Sequence, residues 1–345
     1  MFSILQPIIS KFPTNITERN VKDALRLALQ SSLSAACTFL IMNAYNLPQT
    51  FLALLSAILV VEPSIGHTIS HAKGRILSTI VGSFIGFVFV SIIPYGYGTL
   101  VSLIVTMFIM NAVASFKPSW RYGVVASVAI ALGSENDALT ISFDRLMAMA
   151  IGIAVGLLIT TVIWPEKSNK RAHKYLRNAL KSACNRFEIA FENTKPDTNT
   201  KASTIADNFH SSLGQARDVA TSIHFGDKEK TLQLIEATEK LYNSILIIQR
   251  VADSNAHFYV IDDDELKEYI GQFKEQTCNA LYDFIQKNTI KNQEIKILEE
   301  LINTIKKFIL KLDSDPEKNT GRHTFIFGIE EVFENLNQLK KISGL

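Results

Sequence analysis

Cysteine is nearly missing from this sequence: three in 345 residues, too few and too widely spaced for a disulfide framework or a metal quartet. Charge is scarcer still in the first half. Residues 27–61 and 76–116 contain no Asp, Glu, Lys or Arg, giving uncharged runs of 35 and 41 residues. A soluble core has no need of such runs, whereas a bilayer does. Also absent are a phosphate loop, a dinucleotide fingerprint and any Ser-His-Asp or Cys-His arrangement. Together these absences exclude an ordinary soluble enzyme, a nucleic-acid binder, a disordered chain and a self-contained ATP-driven pump. No cofactor and no metal is implied.

What is present divides sharply. Residues 27–165 hold nine charged side chains, and residues 166–345 hold 53. Met1–Ser10 has no basic start, so it is read as part of a short cytoplasmic helix over residues 1–20 rather than as a signal peptide. A membrane domain over 21–166 and a cytoplasmic helical domain over 167–345 follow. Six spans are expected: 25–45, 51–61, 76–93, 100–116, 120–132 and 146–164, punctuated by Pro48, Glu62-Pro63, Pro94–Gly98 and Lys117-Pro118. Basic residues gather before the first span (Lys11, Arg19, Lys22, Arg26), after the second (Lys73, Arg75), after the fourth (Lys117, Arg121) and after the sixth (Lys167 to Lys181). These fall on one side only if both termini are cytoplasmic, as the positive-inside rule requires.

A shift of 70 positions superposes Pro48 on Pro118, Ser64 on Ser134, Arg75 on Arg145, Gly82 on Gly152 and Gly86 on Gly156. Each copy holds three spans, an odd number, so the second must enter the membrane inverted. The expected fold is therefore all-α: a six-helix transmembrane bundle of two inverted three-helix repeats, plus a cytoplasmic helical bundle. Inverted repeats characterise transporters, and the two short middle spans at equivalent positions point to a binding site between the copies. Gly82, Gly86, Gly152 and Gly156 read as helix-packing positions, where a missing side chain lets a second backbone approach.

Ionisable groups at membrane depth need a reason. Arg75, Arg145 and Arg121 are candidate ligands for an organic anion. The plainer reading has them reaching headgroups or pairing locally, Arg145 with Asp144 and Arg75 with Glu62. Glu62 is the candidate proton-coupling carboxylate, or else an interfacial partner of Lys73. His67 and His71 stand four apart without a third ligand in view, and Asn43 and Asn111 are placed to hydrogen-bond across helices. After Pro165 the pattern turns amphipathic. Ile295, Leu298, Ile302, Ile305 and Ile309 form one face, Leu241, Ile245 and Ile248 a second, and Ile329, Val332 and Leu336 a third. Five or six helices are expected there, with breaks near 195–197, 225–227, 262 and 313–321.

Pro48-Gln49-Thr50-Phe51, Glu62-Pro63-Ser64-Ile65-Gly66 and Arg75-x2-Ser78-Thr79-x2-Gly82-x3-Gly86 together resemble the fusaric acid resistance and aromatic acid exporter family. The stretch from Arg145 to Gly156, closing at Trp164-Pro165, is similar too. The resemblance covers roughly residues 20–175 and extends distantly to aluminium-activated malate transporters. Ser78 departs from the pattern, standing where the family usually has glycine. The resemblance implies an inner-membrane exporter of aromatic or other organic acids that confers resistance to them. An anion channel of the same fold and a non-transporting scaffold are the alternatives. It further implies a small organic anion as ligand, membrane lipid around the spans, a homodimer in place of a fused pair, and in some systems a periplasmic adaptor.

Overall fold

The computed structural model describes residues 18–92, 97–116, 121–131, 138–191, 198–224, 226–253, 264–311 and 316–344. Among the described residues there are twelve helices and no strand. The chain divides into two compact units, Met1–Lys167 and Ser168–Leu345. The first contains α1 (Glu18–Ala44), α2 (Thr50–Val60), α3 (Ile65–Ile92), α4 (Tyr97–Phe116), α5 (Arg121–Ala131) and α6 (Ala138–Val162). Of the helix expected over residues 1–20, all but the opening of α1 lies outside the described residues, as do Pro118 and Ser134.

The first unit is inverted in polarity relative to a water-soluble domain. Among the described residues, all but three of the exposed large apolar side chains lie here, the exceptions being Tyr282, Leu310 and Phe327. Its buried hydrophobic positions are small or flexible: Ala53, Ala57, Ala72, Ala114, Ala126, Ala148, Met42, Met110 and Met149 among them. Buried with them are Arg26, Gln30, Ser34, Thr38, Ser56, Thr68, Arg75, Ser78, Thr79 and Ser127. Lipid tails offer no hydrophobic reward for burying leucine, so small residues and internal hydrogen bonds hold membrane helices together. Three of the helices have stretches long and apolar enough to cross a bilayer, at Asp23–Ala44, Thr99–Phe116 and Phe143–Val162.

Helix starts differ from the apolar windows. α3 begins at Ile65, eleven positions before the expected span, and α6 begins at Ala138, eight before it. The leading turns of α3 carry His67, Thr68, Ser70, His71 and Lys73, which are compatible with a helix but not with hydrocarbon. Hydropathy locates the lipid, whereas backbone hydrogen bonding continues past it.

Helix packing in this unit has a repeated form. α1, α2 and α6 form one mutually contacting group, α4, α5 and α3 form the other, and α3 contacts α6. Under the 70-residue shift α1, α2 and α3 correspond to α4, α5 and α6. On that correspondence each group combines two consecutive helices with the helix that the shift pairs to the other group's third.

The second unit contains α7 (Ser168–Ala190), α8 (Thr198–Thr221), α9 (Lys228–Asp253), α10 (Asp264–Lys287), α11 (Asn292–Lys311) and α12 (Pro316–Gly344). Its core is a large continuous apolar cluster. All three faces expected from periodicity are buried in it, including Ile295, Leu298, Ile302, Ile305 and Ile309 of α11 and Leu241, Ile245 and Ile248 of α9. Phe209 of α8 stacks on Tyr242 of α9, with centroids 3.8 Å apart. The α10–α11 break is additional to those expected. It is made by Asn288 at φ 57°, whose N–H donates to the Phe284 carbonyl at 2.8 Å, a left-handed C-terminal cap built on asparagine. α12 starts at Pro316, inside the expected break, because proline at the first helical position surrenders no hydrogen bond.

His173 of α7 gives this unit a pH dependence. Burial, then the charges of Arg177 and Lys230, hold its imidazole below the ordinary histidine range. The unfolded chain therefore binds the proton more readily than the folded one. The stabilisation is complete above the unfolded pKa of about 6.5 and is lost as pH falls through the folded value. Melting of the full-length protein in detergent should fall between pH 7.5 and pH 5, and His173→Gln should reduce that fall.

Candidate functional site

The site grows from the crossing of α3 and α6. Thr79 Oγ1 lies 3.9 Å from Met149 Sδ, and these two residues are themselves one repeat interval apart. One turn earlier on each helix stand Arg75 and Arg145, each about 6 Å along its axis from the crossing. Arg75 is 4% exposed and its guanidinium carbon lies 4.2 Å from the ring centroid of Tyr122. Neither Arg75 nor Arg145 forms an ion pair among the described residues, and Nε and Nη1 of both are buried without a hydrogen-bond partner. A buried donor left unpaired costs about 1–3 kcal/mol, more when charged. Two such groups flanking one crossing constitute an unfilled demand for an anion. The Arg75–Glu62 and Arg145–Asp144 pairs offered by the sequence do not form. Arg121 opens α5, and its side chain lies outside the described residues.

Glycines set the close packing around this crossing. A Cβ on Gly82 would collide with the backbone of Gly123, and one on Gly86 would stand 3.1 Å from Ser127 Cα. On the other copy, a Cβ on Gly152 would collide with the backbone of Ala53, and one on Gly156 would stand 2.9 Å from the Ala57 carbonyl oxygen. Ala53 and Ala57 correspond to Gly123 and Ser127 under the repeat shift, so the two contacts are equivalent. Ser78, which departs from the family's pattern, is fully buried. Its hydroxyl donates back to the Arg75 carbonyl at 3.0 Å, and its own carbonyl faces Gly123.

One side of the unit is a polar seam absent from the sequence expectations. Arg26, Gln30, Ser34 and Thr38 recur every four residues along α1 and are 5%, 2%, 0% and 0% exposed. Arg26 pairs with Glu166 and donates to the Pro63 carbonyl at 2.9 Å. Gln30 donates to the Ile163 carbonyl at 2.6 Å, and Ser34 to the Ala57 carbonyl at 3.2 Å. The Glu166 carbonyl accepts the Ile65 N–H at 3.1 Å. These bonds tie the start of α1, the α2–α3 connection and the segment after α6 together at one end. The four-residue recurrence of polar groups within an apolar helix was the available signal.

Glu62 Oε1 stands 3.3 Å from His71 Nδ1, out of line for a hydrogen bond. The histidine, rather than Lys73 or Arg75, is thus the neighbour of this carboxylate. The His67 backbone N–H is taken by Ser64 Oγ at 3.4 Å. Asn111 bonds within its own helix, to the Met107 carbonyl at 2.9 Å, instead of across helices, and Asn43 is exposed.

Residues 35–159 match the model of the fusaric acid resistance protein-like family. A UPF0421 protein of Staphylococcus epidermidis strain RP62A is 22% identical over 327 residues, which take in 90% of this chain and 94% of that protein. A UPF0421 protein from a second strain of the same species is 22% identical over 328 residues, with the same shares. Inner membrane protein YccS of Escherichia coli K12 is 22% identical over 168 residues, 48% of this chain and 23% of that one. The matched residues span the glycine contacts, both arginines and the α3–α6 crossing, so the first unit of this helical protein is similar to the fusaric acid resistance protein-like family.

Proposed function

We propose that this chain is an inner-membrane exporter of organic anions, aromatic carboxylic acids in particular, and that Arg75 and Arg145 hold the carboxylate. The observation that carries this reading is the pair of arginines 70 positions apart, each with Nε and Nη1 buried and without a hydrogen-bond partner. A carboxylate satisfies two such donors at once, and charge-assisted bidentate bonds are the strongest a side chain can make. Tyr122, stacked under Arg75, offers the ring of an aromatic acid a flat neighbour. The exchange of third helices between groups, with equivalent glycine contacts on each side, supports two inverted repeats and six crossings. Rocking of one group against the other would then alternate access to the arginines. The seam that joins α1, the α2–α3 connection and the segment after α6 marks one end of the unit. Lys22, Lys73 and Lys167 lie close to that end in sequence, which supports a cytoplasmic assignment for it and for both termini. Glu62 beside His71 at the same end is the carboxylate proposed to couple export to the proton gradient, and a second copy of the chain is the proposed subunit partner.

The test is efflux of radiolabelled aromatic acids from cells or proteoliposomes. Arg75→Gln and Arg145→Gln should each slow efflux by about 10–100-fold, the worth of a charged hydrogen bond of roughly 1.5–3 kcal/mol, with membrane insertion intact. In the same assay Glu62→Gln should lose the response to a proton gradient. Unchanged efflux in both arginine variants would remove the anion role, and gradient-independent export by the unaltered protein would favour a channel.

A further inference from the structure

Two of the three cysteines, 94 positions apart in sequence, meet inside the helical bundle of the second unit. Cys184 of α7 is fully buried and Cys278 of α10 is 8% exposed. Glu188 lies one turn beyond Cys184 on α7, and Tyr282 one turn beyond Cys278 on α10. The two i,i+4 pairs face each other across the α7–α10 contact. One ligand atom from each of Cys184, Cys278 and Glu188 lies within 4.8 Å of the other two.

Buried thiols by themselves are ordinary small apolar fillers of a core. A carboxylate brought against both sulfurs is not ordinary. Glu188 forms no ion pair among the described residues, so a basic side chain does not account for its position. Carboxylate and thiols together form a convergent donor set on two rigid helices.

We propose that Cys184, Cys278 and Glu188 bind a zinc ion that fastens α7 to α10. Two thiolates select a soft divalent ion, and a carboxylate completes three protein ligands of a tetrahedral set with a water in the fourth position. Zn–S bonds of about 2.3 Å and a Zn–O bond of about 2.1 Å set ligand separations of roughly 3.5–3.8 Å. The ligand atoms lie within 4.8 Å of one another, so closing onto the ion shortens no separation by more than about 1.3 Å. Binding displaces one proton from each thiol, so one Zn(II) enters as two protons leave. The inference depends on the second unit alone and stands apart from the transport reading.

The experiment uses full-length protein in detergent under a non-chelating reductant, loaded with zinc chloride and then passed over chelating resin. Mass spectrometry of metal content should give about one zinc per chain, and cobalt(II) in its place should show the near-ultraviolet thiolate-to-cobalt band. Cys184→Ser and Cys278→Ser should each retain less than a tenth of the metal. Glu188→Gln, at a half-buried position that tolerates the change, should weaken retention against a competing chelator at least tenfold. Cys37→Ser in α1 should retain it in full. Zinc should raise the melting temperature of the unaltered protein and not that of the Cys184→Ser/Cys278→Ser pair. Metal content in the unaltered protein no higher than in that double variant, or retention insensitive to Glu188→Gln, would overturn the assignment.

Discussion

Arg26→Leu should be the most damaging single substitution in the first unit, costing about 3–5 kcal/mol, the usual penalty for leaving one member of a buried ion pair alone. Arg26 is 5% exposed and Glu166, its partner, 14%. Removing the guanidinium takes the arginine from that carboxylate and one donor from the Pro63 carbonyl. The expected outcome is low yield and early aggregation on heating in detergent, and Arg26→Leu/Glu166→Leu should recover most of the loss, because replacing both charges removes the buried carboxylate that has lost its arginine. A double variant as unstable as the single one would mean that the packing of the arginine stem, rather than its charge, sustains this end of the unit.

The second large effect concerns the glycine contacts. Gly152→Leu forces a side chain into the backbone of Ala53, and Gly82→Leu into the backbone of Gly123. Overpacking of a tight interface typically costs about 1–3 kcal/mol. Here the obstacle is main chain that no rotamer change can clear, which argues for the upper end. Because the contacts are equivalent under the 70-residue shift, the two variants should lose stability by similar amounts and both should lose efflux. Thermal melting in detergent reads the first effect and proteoliposome flux the second. A tolerated Gly82→Leu beside a severe Gly152→Leu would show that the two halves are not energetically equivalent.

Much of the site could be read from linear sequence because its elements are periodic. Arg75, Gly82 and Gly86 recur as Arg145, Gly152 and Gly156, and no folding was needed to see that these six positions form two sets. Tyr122 under Arg75 could not be read, since the pair joins two helices by a cation–π contact that has no sequence spacing. The seam on α1 was legible in principle. Arg26 had been counted among basic residues flanking a span, a reading that treats charge as a topological marker and overlooks Gln30, Ser34 and Thr38 on the same face. The α10–α11 break passed unnoticed because Asn288 supplies the left-handed residue where glycine or proline would normally signal it.

Sequence alone determined that the first half is apolar enough for lipid, that Arg75, Gly82 and Gly86 recur 70 positions on as Arg145, Gly152 and Gly156, and that the second half is amphipathic helix. Each of these follows from local composition or periodicity, which depend on neighbours along the chain. Tertiary structure decided which helices share a group, that Nε and Nη1 of Arg75 and Arg145 lack hydrogen-bond partners, and that Cys184 meets Cys278. Those depend on which backbones can approach closely enough to exclude side chains. Closeness of that kind is a property of whole helices packed together, and a residue's sequence neighbours carry no record of it.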